Sequence, residues 1–327
     1  MSGARKVPVD PSALEERLRT LARLGAFALP LPGGGRTAER FDALRAFGAE
    51  DMAVGRLAEA HADGMAIKAE AGREHDAGVL LGVWAAGGPR NRVVAEPARD
   101  GWRLTGRRSW CSGASLLDRA LLTVEAGPDA LLLDVDLSDP GLVIDEASWR
   151  TTALAATATG TVTFAGVHVG AGDVIGAPGF YLGRPGFWAG SVGVAAVWVG
   201  GAEGIVAAMR GTGDDDDPHA LAHLGAAEAA CWGMRAAIAA AAVELDADPC
   251  DERGEAMARA LMVRHLVERS CVEVMDRCAR ALGPGPLVAD AAHAQRVIDL
   301  QLYIRQVHAE RDLEDIGRAH RPRGTPG

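Results

Sequence analysis

The chain has 327 residues, of which 48% are hydrophobic and 24% charged, and its formal net charge is −10. This composition predicts a core of ordinary size spread over two or three domains. The acidic balance argues against nucleic acid or an anionic membrane as a main partner.

The N-terminal part of the chain is predicted to be helical, with helices at 11–24, 37–47 and 50–71. Pro30–Gly35 separates the first helix from the second, because this segment is rich in proline and glycine. The polar segment Met1–Asp10 has no secretory signal pattern, which predicts a cytoplasmic protein.

Short β-branched and apolar runs separated by Gly, Pro and Asp predict a change to strands between about residues 78 and 175. The predicted strands lie at 79–84, 92–96, 101–105, 119–125, 130–135, 141–145 and 160–169. This pattern favours an antiparallel β-domain, in the form of a small barrel.

The remaining chain is predicted to be helical again, with helices near 188–210, 218–246, 251–282 and 291–316; Pro249 and Gly283–Pro286 mark two of the turns. The segment Gly186–Met209 is long enough to span a membrane. It is built of Gly, Ala and Val, however, and its one charged residue, Glu203, costs about 3 kcal/mol in lipid. We therefore predict a helix buried among other helices, and no membrane partner.

The five cysteines are odd in number and contain no Cys-x-x-Cys spacing, so neither a disulfide framework nor a zinc site is indicated. Acidic and histidine residues near the start of the second of these helices fit a helix N-terminus better than a metal site. The sequence therefore predicts no metal.

The segment Gly106–Ala114, GRRSWCSGA, carries the first candidate site. In a strand, side chains two apart share a face, so Trp110 and Ser112 are placed to cover and hydrogen-bond one flat heterocycle while Gly113 keeps the backbone close. Taken alone, a Trp-x-Ser pattern also fits a core tryptophan beside a solvated serine.

The order of segments resembles that of the acyl-CoA dehydrogenase superfamily of flavoproteins. The family's first motif corresponds to Gly106–Ala114, and its second to Ala153–Val169, ALAATATGTVTFAGVHV, followed by Asp173–Gly176. The resemblance covers the chain from about Asp51 onward. It implies an α+β fold, with N-terminal helices, a central antiparallel β-barrel and a C-terminal four-helix bundle.

The resemblance also implies domain boundaries and a cofactor. A shortened N-terminal helical domain would span 1–75, the barrel 76–178, the bundle 185–318 and a tail 319–327. The implied cofactor is FAD, lying between barrel and bundle.

By the same resemblance Trp110, Ser112 and Gly113 meet the flavin ring, and Thr157 and Thr159 lie near the flavin or the substrate. Without the family match, both threonines are explained by β-strand propensity. Trp84 begins a loop that continues to Gly87 and Gly88, where backbone amides are placed to approach a flavin edge.

The family's carboxylate base is missing from both standard positions, which fall at Val307 and near Val194. His308 and Glu310 are the candidate replacements, with Glu203 a weaker one. The alternative for His308 and Glu310 is a solvated, salt-bridged helix face.

The segment that binds the FAD pyrophosphate in relatives departs from the family as well. Arg210 is followed by Asp214–Asp217, four acidic residues that repel a phosphate. Gly283 and Gly285 match a loop that contacts the FAD of a partner subunit, so a homodimer or homotetramer is expected.

Three functions remain open at this stage. The first is FAD-dependent α,β-dehydrogenation of an acyl thioester or similar small molecule with a displaced base. The second is a flavin-dependent monooxygenase of the same fold, which needs no such base and for which His61 and His308 are candidates for proton handling. The third is a flavin-free scaffold.

Overall fold

The computed structural model describes residues 11–85, 87–88, 91–212 and 217–321. Within them the chain forms two compact units. The first combines the described residues up to Leu29 with Arg56–Phe187, and the second combines Pro30–Gly55 with the residues from Trp188 onward. This division differs from the expected boundaries, because the predicted N-terminal helices are shared between the two units instead of forming a domain of their own.

The first unit is organised around one seven-stranded sheet, a curled half-barrel. Its strands are β1 (Leu81–Trp84), β2 (Val93–Ala98), β3 (Gly101–Cys111), β4 (Arg119–Ala126), β5 (Asp129–Asp136), β6 (Leu142–Asp145) and β7 (Gly160–Gly170). The strand order is β1-β4-β2-β3-β7-β6, and β5 pairs with β4. All seven predicted strands are therefore present.

The sheet is not wholly antiparallel, which corrects the sequence-based expectation. Strand β1 runs parallel to β4 from Leu81↔Arg119 to Trp84↔Leu122, and β2 makes one further parallel pairing at Val94↔Glu125. The other strand pairings are antiparallel. Residue patterns within single strands do not encode the direction of the neighbouring strand, so this feature was not predictable from them.

Alternating apolar residues from the strands fill the core beneath the sheet, including Leu104, Leu122, Leu133, Val162 and Phe164. Three helices belong wholly or mostly to this unit: α1 (Ser12–Arg23), α3 (Met52–Glu70) and the short α4 (Phe180–Gly183). Helix α3 approaches β1 at Gly64, where a Cβ atom would lie 3.2 Å from the Leu81 side chain. A larger residue there would push the helix away from the sheet.

The second unit is helical. It contains α2 (Thr37–Glu50), nearly all of α5 (Phe187–Thr212), α6 (Pro218–Ala247), α7 (Ala256–Leu282), the short α8 (Gly285–Ala289), α9 (Ala291–Tyr303) and α10 (Glu310–Ala319). Glycines let α2 and α5 touch through their backbones. A Cβ on Gly200 would lie 2.0 Å from the Arg45 carbonyl oxygen, and one on Gly48 would lie 2.2 Å from the Val197 carbonyl oxygen.

Two helices, α5 and α6, are long and apolar enough to cross a membrane. In α5, 72% of the most apolar window is buried inside the protein, as expected for a core helix packed among other helices. In α6 the corresponding share is only 33%. The glycine and alanine content of α5 is therefore explained by close helix packing, whereas that of α6 is not.

The helix predicted at 291–316 is interrupted. Helix α9 ends at Tyr303 and α10 begins at Glu310, with Ala309 between them at φ 49° and ψ −116°. Asp312, in the first turn of α10, accepts a hydrogen bond from the His308 backbone N–H at 2.8 Å, which holds the segment just before the new helix. No proline or glycine marks this break, so the apolar periodicity alone predicted one continuous helix.

Candidate functional site

Three hydroxyl groups in the first unit form a buried chain between the end of β3 and the loop before β7. Thr159 Oγ1 is hydrogen-bonded to Ser112 Oγ at 3.2 Å and to Thr157 Oγ1 at 2.7 Å. The Thr157 hydroxyl also donates a hydrogen bond to the Leu154 carbonyl oxygen at 2.7 Å. All three hydroxyl residues are buried. The structure thus brings Ser112 close to Thr157 and Thr159, which lie 45 and 47 positions later in the sequence.

The hydroxyl chain ends at Ser112 with an acceptor lone pair still available. A serine hydroxyl has one hydrogen to donate and two lone pairs. The Thr157 hydrogen goes to the Leu154 carbonyl oxygen, and the two bonds that join the three hydroxyls use two more hydrogens, so all three hydroxyl hydrogens are engaged. Ser112 Oγ can therefore accept one hydrogen bond from a bound group.

The backbone around this chain is strained. Trp110, Leu154 and Ala158 have φ values of 60°, 51° and 45°, in the left-handed region that non-glycine residues rarely adopt. Each such residue costs on the order of 1–3 kcal/mol, and such positions cluster at functional sites. Two of them, Leu154 and Ala158, lie on either side of Thr157. The loop therefore holds the Thr157 hydroxyl in place at a cost in folding stability.

Gly113 and Trp84 fix the turn from the other side. The Gly113 N–H donates to the Thr157 carbonyl oxygen at 2.8 Å, and the Trp84 indole N–H donates to the Ser112 carbonyl oxygen at 3.1 Å. Gly113 has φ 74°, and a Cβ there would lie 2.5 Å from Leu117 Cδ1. Trp84 is buried in the sheet core. The structure therefore gives Trp84 a supporting position beneath the turn, and glycine is required at 113.

Trp110 does not share a face with Ser112 in the way that a regular strand predicts. The β3–β7 register shifts between Arg108 and Cys111, and Trp110 lies at the shift with positive φ. As a result 63% of Trp110 is exposed, while Ser112 is buried. The alternation used in the sequence argument is therefore wrong at this point, and the contact of Trp110 with a flat ring stays a prediction.

A second polar cluster beside the first was missed by the sequence reasoning. The Thr161 hydroxyl donates to Ser109 Oγ at 3.3 Å, the Thr161 N–H donates to Ser148 Oγ at 2.9 Å, and the Ser109 N–H donates to Asn91 Oδ1. Arg108 is buried nearby in β3, and burial lowers the pKa of its guanidinium. Ser109 and Thr161 continue the alternation of polar positions along β3 and β7, which is the signal that was available.

The residues predicted to hold the FAD diphosphate or to contact the FAD of a partner subunit lie in the second unit. Arg210 is exposed and forms an ion pair with Glu228, with Nε 2.6 Å from Oε1. Gly283 ends α7 with φ 63°, and a Cβ on Gly283 or Gly285 would meet no atom within 4 Å. Residues 214–216 of the acidic run lie outside the described residues, while Asp217 caps α6 by accepting from the His219 N–H at 2.8 Å.

The candidate bases are held on the surface or in ion pairs. His308 precedes α10 and is exposed, with Nδ1 3.3 Å from Asp312 Oδ1, and Glu310 is exposed in the first turn of that helix. Val307 lies in the connection between α9 and α10, not on a helix. Glu203 accepts from Arg45 and Arg235, each at 2.8 Å. A carboxylate shared between two guanidinium groups is occupied as an ion-pair partner.

His61 is a buried acceptor in α3. Its Nδ1 accepts the Leu81 N–H at 3.0 Å, and its ring packs edge-on against Phe27 and His75. Burial, assisted by the neighbouring His75, lowers the pKa of His61 to about 3. The ring is therefore neutral at physiological pH and links helix to sheet, which disfavours a role in proton handling.

Among the described residues, no group of three or more His, Cys, Asp and Glu side chains is arranged to hold a metal ion. The described cysteines are free thiols, and burial raises the pKa of Cys111 and Cys231 to about 12 and that of Cys278 to about 11. These three thiols stay protonated and behave as small apolar groups.

Three solved structures of other proteins share this fold. Methanesulfinate monooxygenase MsuC from Pseudomonas fluorescens has a TM-score of 0.81 and 19% identity, covering 97% of this chain and 92% of MsuC. TdsC from Paenibacillus sp. A11-2, solved with FMN and indole, has a TM-score of 0.77 and 16% identity, covering 96% and 98%. KijD3, solved with FMN and a dTDP-linked amino-keto sugar, has a TM-score of 0.80 and 16% identity, covering 97% and 89%.

At these identities the similarity establishes the fold alone, which this chain shares with MsuC, TdsC and KijD3. TdsC is a dibenzothiophene monooxygenase. No protein-family model matches this sequence, and no curated protein matches it.

Proposed function

We propose that this protein is a flavin-dependent monooxygenase that uses reduced FMN and molecular oxygen. One oxygen atom enters a small organic substrate, and the other leaves as water while the reduced flavin is oxidised. The proposal takes the second of the three functions expected from the sequence. The buried Ser112–Thr159–Thr157 hydroxyl chain carries it, since this chain lies in a fold shared with proteins solved with FMN.

The residues present fit a flavin edge. Isoalloxazine offers carbonyl oxygens and ring nitrogens along one edge, and a bound flavin supplies two-electron reduction of oxygen. Ser112 Oγ would accept a hydrogen bond from a ring N–H on that edge. Thr159 and Thr157 would fix the position of Ser112 Oγ, because Thr159 Oγ1 is already hydrogen-bonded to it. Gly113 would let the ring approach the backbone. Contact of the ring with Trp110, which is exposed while Ser112 is buried, stays a prediction.

FMN is proposed in place of FAD for two reasons. TdsC and KijD3 were both solved with FMN. Arg210, the expected partner of an FAD diphosphate, is engaged by Glu228 in an exposed ion pair. FMN has no diphosphate and so does not need that arginine.

The positions of the candidate bases favour oxygenation over acyl-thioester dehydrogenation. Dehydrogenation requires a general base within reach of the substrate α-proton. His308 and Glu310 are exposed at the start of α10, and Glu203 is held by two arginines. A monooxygenase of this fold needs no residue in that role.

The substrate stays open within the class of small organic molecules. The three similar proteins bind or act on methanesulfinate, indole or dibenzothiophene, and a nucleotide-linked sugar, which share little chemistry. We expect a cytoplasmic enzyme. We also expect that it does not bind nucleic acid, as the acidic composition predicts.

The first experiment is a flavin titration of the purified chain. Quenching of FMN fluorescence and a shift of the flavin absorption band are expected, with weaker binding of FAD. Absence of binding for both flavins would support the flavin-free scaffold and contradict the proposal. Tighter binding of FAD than of FMN would contradict the cofactor assignment alone.

The second experiment separates the two enzyme classes. Reduced FMN is supplied by a flavin reductase with NADH, in the presence of oxygen-18 gas and a panel of sulfinates, thiophenes, indoles and amino sugars. Incorporation of one labelled oxygen atom into a product is expected. Anaerobic bleaching of the bound flavin by acyl-CoA thioesters, without oxygenation of any compound in the panel, would restore the dehydrogenase hypothesis.

A further inference from the structure

The 72–79 segment joins α3 to β1 and places one histidine ring against the first unit. Six of its eight residues are exposed, and only His75 and Val79 are partly buried. The His75 ring packs edge-on against the His61 ring of α3, with centroids 5.5 Å apart. His61 in turn packs against Phe27, with centroids 4.6 Å apart. The ring of His75 is therefore the anchor of an otherwise exposed segment.

The position of His75 leaves its polar atoms without partners. Both ring nitrogens are shielded from solvent, and neither has a hydrogen-bond partner among the described residues. The Val79 backbone favours the charged ring, but it does not meet hydrogen-bond geometry with either nitrogen. A neutral imidazole has one N–H donor and one acceptor, and burying them unpaired costs free energy. Ring packing therefore holds the segment against a cost that exposure of the ring to water would remove.

A proton on His75 adds to this cost. It turns the acceptor nitrogen into a second unpaired N–H and places a positive charge in a shielded position. Lys68 of α3 repels that charge, whereas Asp134 of β5 and Asp76 of the segment itself attract it. The Asp134 carboxylate is shared with Lys68, whose Nζ lies 2.8 Å from Oδ2. Burial is the largest effect, followed by Lys68, and together they lower the pKa of His75.

The segment leads directly into the strand that supports the candidate site. The Leu81 N–H, at the start of β1, donates to His61 Nδ1, the ring on which His75 packs. In the described part of the sheet β1 pairs with β4 and with no other strand. At the other end of β1 the Trp84 indole holds the Ser112 carbonyl oxygen. Opening of the segment therefore acts on the first residue of this strand.

We propose that the 72–79 segment is a pH-sensitive latch, closed while His75 is neutral and opened when a proton draws the His75 ring away from His61 into water. Local opening of this kind requires no unfolding of the sheet. The inference is independent of the flavin chemistry proposed above.

The direction of the pH effect follows from linkage. The exposed ring of the open segment has the ordinary histidine pKa of about 6.5, and the closed ring has a lower pKa. The stability of the closed segment is therefore fully present above about pH 6.5 and is lost as the pH falls through the pKa of the closed ring. In this window the equilibrium constant for opening rises by up to about tenfold per pH unit.

Hydrogen–deuterium exchange of the full chain, read by mass spectrometry, measures the opening. The readout is the amides of Val79, Leu80 and Leu81, which are hydrogen-bonded in the closed segment. Between about pH 7.5 and about pH 5.5 their protection, corrected for the intrinsic effect of pH on exchange, is expected to fall about tenfold. It should stay below the protection of the β4 amides at every pH. Equal protection of the two regions would mean that the unit opens as a whole and would contradict the latch.

His75→Phe keeps a packed ring and removes the titration, so its protection should not change between the two pH values. His168→Phe is the matched control, because His168 is exposed in β7, and it should keep the wild-type fall. The same fall in H75F as in the wild type would overturn the proposal, and so would a wild type whose protection is independent of pH.

Lys68→Met gives a second test that leaves His75 in place. Without the neighbouring ammonium group the closed ring tolerates the proton better, so the fall in protection should become smaller. An unchanged or larger fall would contradict the proposal. The ring-carbon signal of His75 in nuclear magnetic resonance, assigned by its absence in H75F, should titrate below about pH 6.5 in the wild type. Titration at or above that pH would show that the closed position accepts the charge and would also contradict the latch.

Discussion

Thr159 Oγ1 and Ser112 Oγ are hydrogen-bonded at 3.2 Å, joining two residues 47 positions apart in the sequence. This bond leaves a Ser112 Oγ lone pair open on another side, because a hydroxyl oxygen has two lone pairs besides its hydrogen. The pair therefore joins the two motifs that first indicated a flavin site. It also makes Ser112 the residue whose removal should be felt most directly by a bound flavin.

Ser112→Ala is expected to weaken FMN binding about fivefold, equivalent to about 1 kcal/mol for one hydrogen bond. Ser115→Ala is the matched control, because Ser115 is exposed three residues later and bonds Glu146. Fluorescence titration of both variants measures the effect. Equal affinities for the wild type and S112A would remove Ser112 from the site.

Acidification should destabilise the first unit through His61. The pKa of this residue is about 3 in the folded protein, against about 6.5 for an unfolded histidine. The stabilising effect of the neutral ring is fully present above about pH 6.5 and is lost as the pH falls toward 3, because the unfolded chain then binds the additional proton. Between about pH 8 and pH 5 the free energy of unfolding should fall by about 2 kcal/mol from this group.

His61→Asn keeps an acceptor for the Leu81 N–H and removes the titration. Urea unfolding at a series of pH values should show a flatter pH dependence for this variant. His308→Asn, at an exposed histidine, should keep the wild-type slope. If both variants had the same slope as the wild type, the pH dependence would arise elsewhere.

The Arg184 guanidinium forms the buried ion-pair centre of the first unit, since only 1% of its side chain is exposed. It donates to Asp63 at 2.9 and 3.1 Å and to Glu70 at 2.9 Å. Asp63→Asn removes one of the two charges that compensate this guanidinium, and should lower the free energy of unfolding by about 3 kcal/mol.

Asp100→Asn is the control for this prediction. Asp100 pairs with His168 on the surface, at 2.9 Å, where such pairs contribute at most about 1 kcal/mol. Urea denaturation of the two variants compares the sites. Similar losses in both would show that burial does not decide the strength of these pairs.

Ala309→Gly should stabilise the second unit by about 1 kcal/mol, because φ 49° with ψ −116° strains an L-residue and not glycine. The opposite sign is expected for Ala279→Gly, since this exposed alanine lies within α7, where glycine costs about 1 kcal/mol. Thermal midpoints from circular dichroism measure both. A decrease for A309G would show that the left-handed conformation at 309 does not persist in solution.

Local patterns were sufficient for most of the elements. The seven strands and the helices at α1 to α3 and α5 to α7 follow from apolar periodicity and from Gly and Pro punctuation, which act within a few residues. The prediction of one helix at 291–316 was wrong because the chain breaks between α9 and α10, where Asp312 bonds the His308 N–H, a contact that apolar spacing does not encode. The prediction of a wholly antiparallel sheet was wrong because the direction of β1 relative to β4 is set between distant segments.

The candidate site, like the fold, was predictable only in part from the sequence. The sequence by itself proposed Ser112 and Gly113 from their positions at the end of a predicted strand, and Thr157 and Thr159 through the resemblance of a second motif; their contact with a flavin stays a prediction. Only the tertiary structure decided that these hydroxyls form one chain, that Trp110 turns outward at a strand irregularity, and that Trp84 supports the turn from the core. The physical reason is that a residue type is a local property, whereas the partner of a hydrogen bond and the exposure of a side chain depend on segments that folding brings together.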